Sequence, residues 1–191
     1  MAQLAHYSGP TTISHENKRS KLAQICLFIK IMCYLCVPLF KTQPDMTEIN
    51  YMTQGDVQMP RLNHQAVQDW IVQVAQHHGQ RVGCLTYVFC DDEYILATNR
   101  EFLGHDYYTD IITFDYTNSR HIAGDMVISL DTVKSNADML GVPYENELMR
   151  VIIHGVLHLC GINDKGEGER EIMEQHENEA LAILPKNVFQ A

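Results

Sequence analysis

Residues 150–170 read RVIIHGVLHLCGINDKGEGER. Apolar residues surround His154 and His158, which stand four apart. On a helix that spacing puts both imidazoles on one face, where they can clamp a single ion. Gly161, three residues past the second His, can take a positive φ and stop the helix. The chain can then fold back and bring Asp164 to the same ion. Two nitrogens and one carboxylate oxygen with a fourth position open are the pattern of a catalytic rather than a structural zinc site. Two His at this spacing also occur by chance. The glycine at the turn, the acidic residue beyond it and the cost of unpaired imidazoles in apolar surroundings favour the metal. The third ligand stays open: Asp164 also reads as a turn residue capping the next helix, and His176 is then the reserve donor.

Working outward, PYENELMRVIIHGVLHLCG (143–161) is a helix with Pro143 near its start. Before it, DTVKSNADMLG (131–141) reads as a short helix capped by Asp131 and ended by Gly141. TDIITFDY (109–116) and AGDMVISL (123–130) are strands joined by the turn-prone TNSRHI into a hairpin. DDEYILATNREFLG (91–104) returns to a helical period, with Asp91 as N-cap and Gly104 as terminator, and RVGCLTYVFC (81–90) is a strand. Leu62, Ala66, Val67, Trp70, Ile71, Val74 and Ala75 fall at helical spacing before Gly79, and MTEINYMTQ (46–54) reads as the first strand. The tail GEGEREIMEQHENEALAIL is a charged amphipathic helix. This order of elements predicts an α+β fold, an α/β sandwich: a small mixed β-sheet with helices packed on it and a metzincin-like metal-binding helix. The order of the strands in the sheet is not legible from it.

The 191 residues, 46% hydrophobic, suffice for one domain with a real core. That domain is read as residues 46–191. Residues 1–45 read as an N-terminal extension, disordered or arising from a misassigned start, because the apolar run Ile25–Phe40 is short for a bilayer span and carries Lys30 and Pro38. A targeting segment is the alternative. The net charge is −10, and the extension holds five of the fourteen basic residues, so the domain is the more acidic part. A nucleic-acid role therefore needs a local basic patch or a metal ion to offset the overall field. Cys84, Cys90 and Cys160, an odd number set in apolar runs, argue for reduced buried thiols and a cytoplasmic setting. The C-x-x-C pair Cys33 and Cys36 sits in the apolar run and is read as incidental.

HGVLHLCG, with YYTDIITFDY, GDMVIS and ENELMRVIIHG upstream, resembles the YbeY family of single-strand-specific, metal-dependent endoribonucleases. The resemblance covers most of residues 47–184 and has no counterpart for the first 45. It implies a hydrolase with one zinc ion, other divalent metals remaining open. It also implies action on single-stranded ribosomal RNA at the small ribosomal subunit, in 16S 3′-end maturation and ribosome quality control, with no membrane for the domain. Two departures stand out. The family continues with Gly-Tyr-Asp-His where this chain has Gly161, Ile162, Asn163 and Asp164, and an Arg six residues before the Thr of the Thr-Asp pair is here Leu103.

Within that reading Arg150, one turn before His154, can stabilise a phosphorane, its alternative being a salt bridge to Glu147. Thr113 offers a hydrogen-bond donor and Phe114, Tyr107 and Tyr108 offer stacking surfaces for unpaired bases, their alternative being core packing. Asp110 can orient a ligand His or take a proton, or else pair with backbone donors at the start of its strand. One rival function is a metzincin-type metalloprotease, against which Gly155 speaks because the protease's general-base Glu would stand there. The other is a non-catalytic, metal-stabilised ribosome-assembly factor.

Overall fold

A computed structural model of the chain describes the backbone of Gln3–His6 and the whole of residues 47–190. The apolar run Ile25–Phe40, the C-x-x-C pair and the extension readings attached to them lie outside the described residues, apart from Gln3–His6. The strands are β1 (Gln3–His6), β2 (Glu48–Gln54), β3 (Val82–Cys90), β4 (Ile111–Asp115) and β5 (Ile122–Ser129). The helices are α1 (His64–His77), α2 (Asp92–Leu103), α3 (Leu130–Leu140), α4 (Tyr144–Leu159) and α5 (Glu169–Ala182). From residue 48 onward this is the order the sequence predicts, and the fold is α+β with a mixed sheet.

The sheet runs β1-β4-β5-β3-β2. β3 is parallel to β2 and to β5, β4 is antiparallel to β5 as a hairpin should be, and β1 lies parallel to β4 at the edge. Every residue of β3 is buried, as expected of a central strand covered on both faces. Alternation sorts its side chains: Leu85, Tyr87 and Phe89 join the core shared with α1, α4 and α5, while Val88 and Cys90 join Ile95, Ile112, Phe114 and Val127 on the α2 side. Trp70 Nε1 donates to the Ala180 carbonyl at 2.9 Å and ties α1 to α5.

Local chemistry sets the helix ends. The Asp91 side chain caps α2 by accepting from Tyr94 N at 2.8 Å, and Gly104 ends it in the left-handed region at φ 67°. For α3 the cap is Ser129, whose Oγ accepts from Thr132 N at 3.2 Å, and not Asp131. The hydroxyl reaches the third residue's N–H because Ser129 is still extended, whereas Asp131 already lies in the first turn, where it accepts from Asp92 N. Cys84 and Cys90 are buried and Cys160 half-buried, all three as thiols, and burial pushes the Cys160 thiol up to about 12. Among the described residues no helix is long and apolar enough to cross a membrane.

α4 is buried nearly all round, from Glu147 to Leu159 with only Arg150 and His154 partly accessible. It presses on the sheet through Gly155: a Cβ there would meet Ile111 Cδ1 at 2.9 Å and Met126 Cγ and Sδ at 3.1 Å. On the sheet side Gly124 plays the matching part, since a Cβ would lie 2.5 Å from the Phe114 carbonyl and 3.1 Å from Leu159. Position 155 therefore faces Ile111 and Met126 of the sheet, where a Glu carboxylate would be buried among apolar side chains.

Gly155→Glu is expected to destabilise by more than about 4 kcal/mol, because it buries a carboxylate against Ile111 and Met126. Gly124→Ala is expected to cost about 1–3 kcal/mol through overpacking against backbone. Urea denaturation followed by circular dichroism measures both; a Gly155→Glu protein as stable as wild type would refute this placement.

Candidate metal centre

Arg150, His154 and His158 repeat every four residues along one face of α4. After Cys160 the chain turns at Gly161, φ 92°, with Gly161 N donating to the His158 carbonyl and Ile162 N to that of Leu157. This turn carries Asp164 back over the helix end. Asp164 Oδ2 stands 3.8 Å from His154 Nε2 and Asp164 Oδ1 3.8 Å from His158 Nε2, too long for hydrogen bonds. One donor atom from each of the three residues lies within 4.8 Å of the others. His154 Nε2, His158 Nε2 and Asp164 Oδ1 are all buried and have no hydrogen-bond partner. Burying such atoms unpaired costs free energy, and a divalent cation among them would satisfy all three at once. The donor set fits a metal.

The other imidazole nitrogens are occupied. His154 Nδ1–H donates to Glu177 Oε1 at 2.6 Å and His158 Nδ1–H to the Ile162 carbonyl at 2.8 Å, which leaves each Nε2 lone pair turned inward. Burial, reinforced by His154, holds His158 below the ordinary imidazole range despite the pull of Asp164, so its ring is neutral and ready to ligate. Burial pushes the Glu177 carboxyl up, but the hydrogen bonds from His154 and Arg150 outweigh it and bring the group below the usual carboxylate range. Glu147, one turn before Arg150, is raised by burial against the opposing pull of Arg150.

The sequence-predicted residues separate accordingly. His154, His158 and Asp164 come together. His176, the reserve ligand, turns to the other side of α5, with Nδ1 3.4 Å from Glu179 Oε2 and its ring edge-on to His78. Arg150 pairs chiefly with Glu177 (Nη1 to Oε2, 2.8 Å) and Asn178 (Nη2 to Oδ1, 3.0 Å); the expected Glu147 partner is 4.0 Å away. Asp110 accepts from Ile111 N and from Asn136 Nδ2 at the start of β4, and the imidazole-orienting role expected of it is filled by Glu177 and the Ile162 carbonyl. Thr113 is wholly buried, two residues along from Ile111 on the strand face turned to α4, with no hydrogen-bond partner for its Oγ1. Phe114 points to the opposite face and packs edge-on against Phe102, so it is core and no stacking surface, whereas Tyr107 and Tyr108 are exposed. Leu103, where the family's Arg would stand, packs at the margin of the α2-side cluster.

Glu177 is the residue the sequence reading missed. The signal was present: Met173, Glu177 and Ala180 are the buried positions of α5, so a carboxylate occupies a register that should be apolar.

Fold and site together define an α+β protein whose central helix and the turn after it gather two imidazoles and one carboxylate able to hold a metal ion. The family model for endoribonuclease YbeY matches residues 48–185. An endoribonuclease YbeY of Parabacteroides distasonis is 60% identical over 131 residues, covering 69% of this chain and 92% of its own. That of Phocaeicola vulgatus is 59% identical over 136 residues, 71% of this chain and 98% of its own, and that of Christiangramia forsetii 40% identical over 137 residues, 72% and 94%. A solution structure of a Thermotoga maritima protein is similar at 22% identity and a TM-score of 0.49, over 70% of this chain and 89% of its own. The chain belongs to the endoribonuclease YbeY family.

Zinc added to chelator-stripped protein is expected to raise its stability by about 2.7 kcal/mol at one hundred times Kd, and His158→Ala and Asp164→Ala are expected to abolish that gain. Thermal melts with and without zinc measure it; equal gains in wild type and both variants would refute the ligand set. Two groups of the stripped protein should also contribute less stability in acid. His158 and Glu177 both titrate lower when folded, so their contributions are intact above about pH 6.5 and 4.5 and are lost as pH falls through the folded values. Glu147 and Asp125, raised by burial, act in the opposite sense, so the check is the difference from His158→Gln: between pH 8 and 5 the stripped wild type should lose more of its urea midpoint than the stripped variant, and an equal loss would contradict this.

Proposed function

We propose that this protein is a single-strand-specific, metal-dependent endoribonuclease of the cytoplasm that processes ribosomal RNA on the small subunit, at the 16S 3′ end, and serves ribosome quality control. The observation that carries the reading is the convergence of three buried, unpartnered donors from His154, His158 and Asp164, in a chain whose relatives are named endoribonucleases. Zinc is the metal we assign, on the two nitrogens and one carboxylate. Such an ion supplies Lewis acidity toward a phosphoryl oxygen and toward water.

The chain's own residues do the rest. His154 and His158 hold their protons on Nδ1 and offer Nε2. Arg150 spends two of its five N–H donors on Glu177 and Asn178, and we assign the remainder to charge developing on the phosphorus oxygens. Thr113 has an unspent hydroxyl on the α4-facing side of β4, and Asp110 sets the start of that strand through Ile111 N and Asn136. Exposed Tyr107 and Tyr108 suit stacking on unpaired bases, which a duplex does not present. Peptide hydrolysis fits poorly, because position 155, where the general base would stand, is pressed against Ile111 and Met126.

Purified protein is expected to cleave single-stranded RNA, to leave duplex RNA and casein intact, and to stop on addition of a chelator. His158→Ala is expected to lower the rate at least about 100-fold while remaining folded, in keeping with several kcal/mol of lost charge stabilisation. Chelator-sensitive proteolysis with RNA untouched would establish the protease instead. Binding to small ribosomal subunits with no cleavage at all would establish the assembly factor.

A further inference from the structure

Behind the three converging donors a second row of contacts crosses from α4 to α5. Glu177 Oε1 accepts the Nδ1–H of His154 at 2.6 Å, Glu177 Oε2 accepts Arg150 Nη1 at 2.8 Å, and Arg150 Nη2 reaches Asn178 at 3.0 Å. Glu177 is only 6% exposed, level in the helix register with the core residues Met173 and Ala180. A carboxylate in such a place is strongly unfavourable unless each oxygen finds a charged or polar partner. Here each oxygen has one.

The two imidazoles are secured differently. His158 donates to a backbone carbonyl, that of Ile162, which any side chain at that position would present. His154 depends on a side chain from another helix. Without it, the ring is free to carry its proton on Nε2, the nitrogen that faces Asp164, or to turn that nitrogen away. In neither state does its lone pair face His158 and Asp164.

We propose that Glu177 is a positioning residue for the metal centre: it holds the proton of His154 on Nδ1 and its ring in the ligating orientation, while Arg150 clamps its other oxygen. The proposal rests on the metal-centre reading above and assigns α5 a part in it, so that the charged C-terminal helix sets metal affinity as well as covering α4.

Zinc titration of the chelator-stripped full chain against a chromophoric chelator tests this. Glu177→Ala is expected to bind one zinc 10–100-fold more weakly than wild type, the usual effect of removing a partner of a ligating His. Glu177→Gln is expected to fall between the two, because its amide oxygen still accepts from Nδ1–H but carries no charge. Met173→Ala separates positioning from packing. It loosens the same helix at a core position and is expected to lower the melting temperature while leaving zinc affinity at the wild-type value. Wild-type affinity in Glu177→Ala, or an equal loss in Met173→Ala, would overturn the proposal. Should Glu177→Ala not fold, the isosteric Glu177→Gln decides, with unchanged affinity counting against it. Failure of the wild-type chain itself to bind zinc would remove the metal-centre reading and this proposal with it.

Discussion

The structure depends on the burial of α4 on nearly every side. A helix so placed has to meet the sheet, its helical neighbours and the chain's own return loop with different residues from each turn. Gly155 meets the sheet by having no side chain, so that Ile111 and Met126 lie where a Cβ would stand. Val151, Ile152, Val156, Leu157 and Leu159 fill the core. What remains is one polar row, Glu147, Arg150, His154 and His158, enclosed by the same packing. Enclosure raises the cost of every unpaired polar atom in that row and thereby the gain from any partner that satisfies it.

That cost explains the arrangement around the site. Three side chains of the row are matched from elsewhere in the chain: His158 by the Ile162 carbonyl, His154 and Arg150 by Glu177, and Arg150 again by Asn178. The inward Nε2 atoms and one oxygen of Asp164 are left without a partner, and they face one another. Asp164 stands where the family pattern has a His, and it brings a negative charge to the site as well as a donor atom. Such a carboxylate reduces the net charge of any bound dication by one more unit than a third imidazole would. Leu103, where the resemblance places the family's Arg, belongs to the apolar packing on the far side of the sheet.

Much of this was legible before any coordinates. The alternating and 3.6-residue patterns marked the elements from β2 to α5 in their right order, because hydrophobic periodicity is a local property. The H-x-x-x-H spacing and the positive-φ glycine at 161 marked the pair of imidazoles on one helix face and the turn for the same reason. The cap of α3 was misplaced by two residues, because Ser129 and Asp131 are both good capping residues and only the extended backbone of Ser129 decides between them. Phe114 was left open between a stacking surface and core packing, because its side of the strand depends on which helices cover each face. Asp110 was left open between orienting an imidazole and pairing with backbone donors, because Glu177 lies 23 residues beyond His154, a separation no spacing rule spans.

The sequence by itself determined the elements, the pair of imidazoles on one helix face and the membership of a family, since these rest on residues close together or on motifs in fixed order. Tertiary structure alone decided the strand order, the convergence of Asp164 rather than His176 on the two imidazoles, the inward packing of Gly155 and the place of Glu177. Each of those depends on which surfaces meet when the helices close on the sheet. The free energy of an unpaired buried atom is defined only once that closure has occurred.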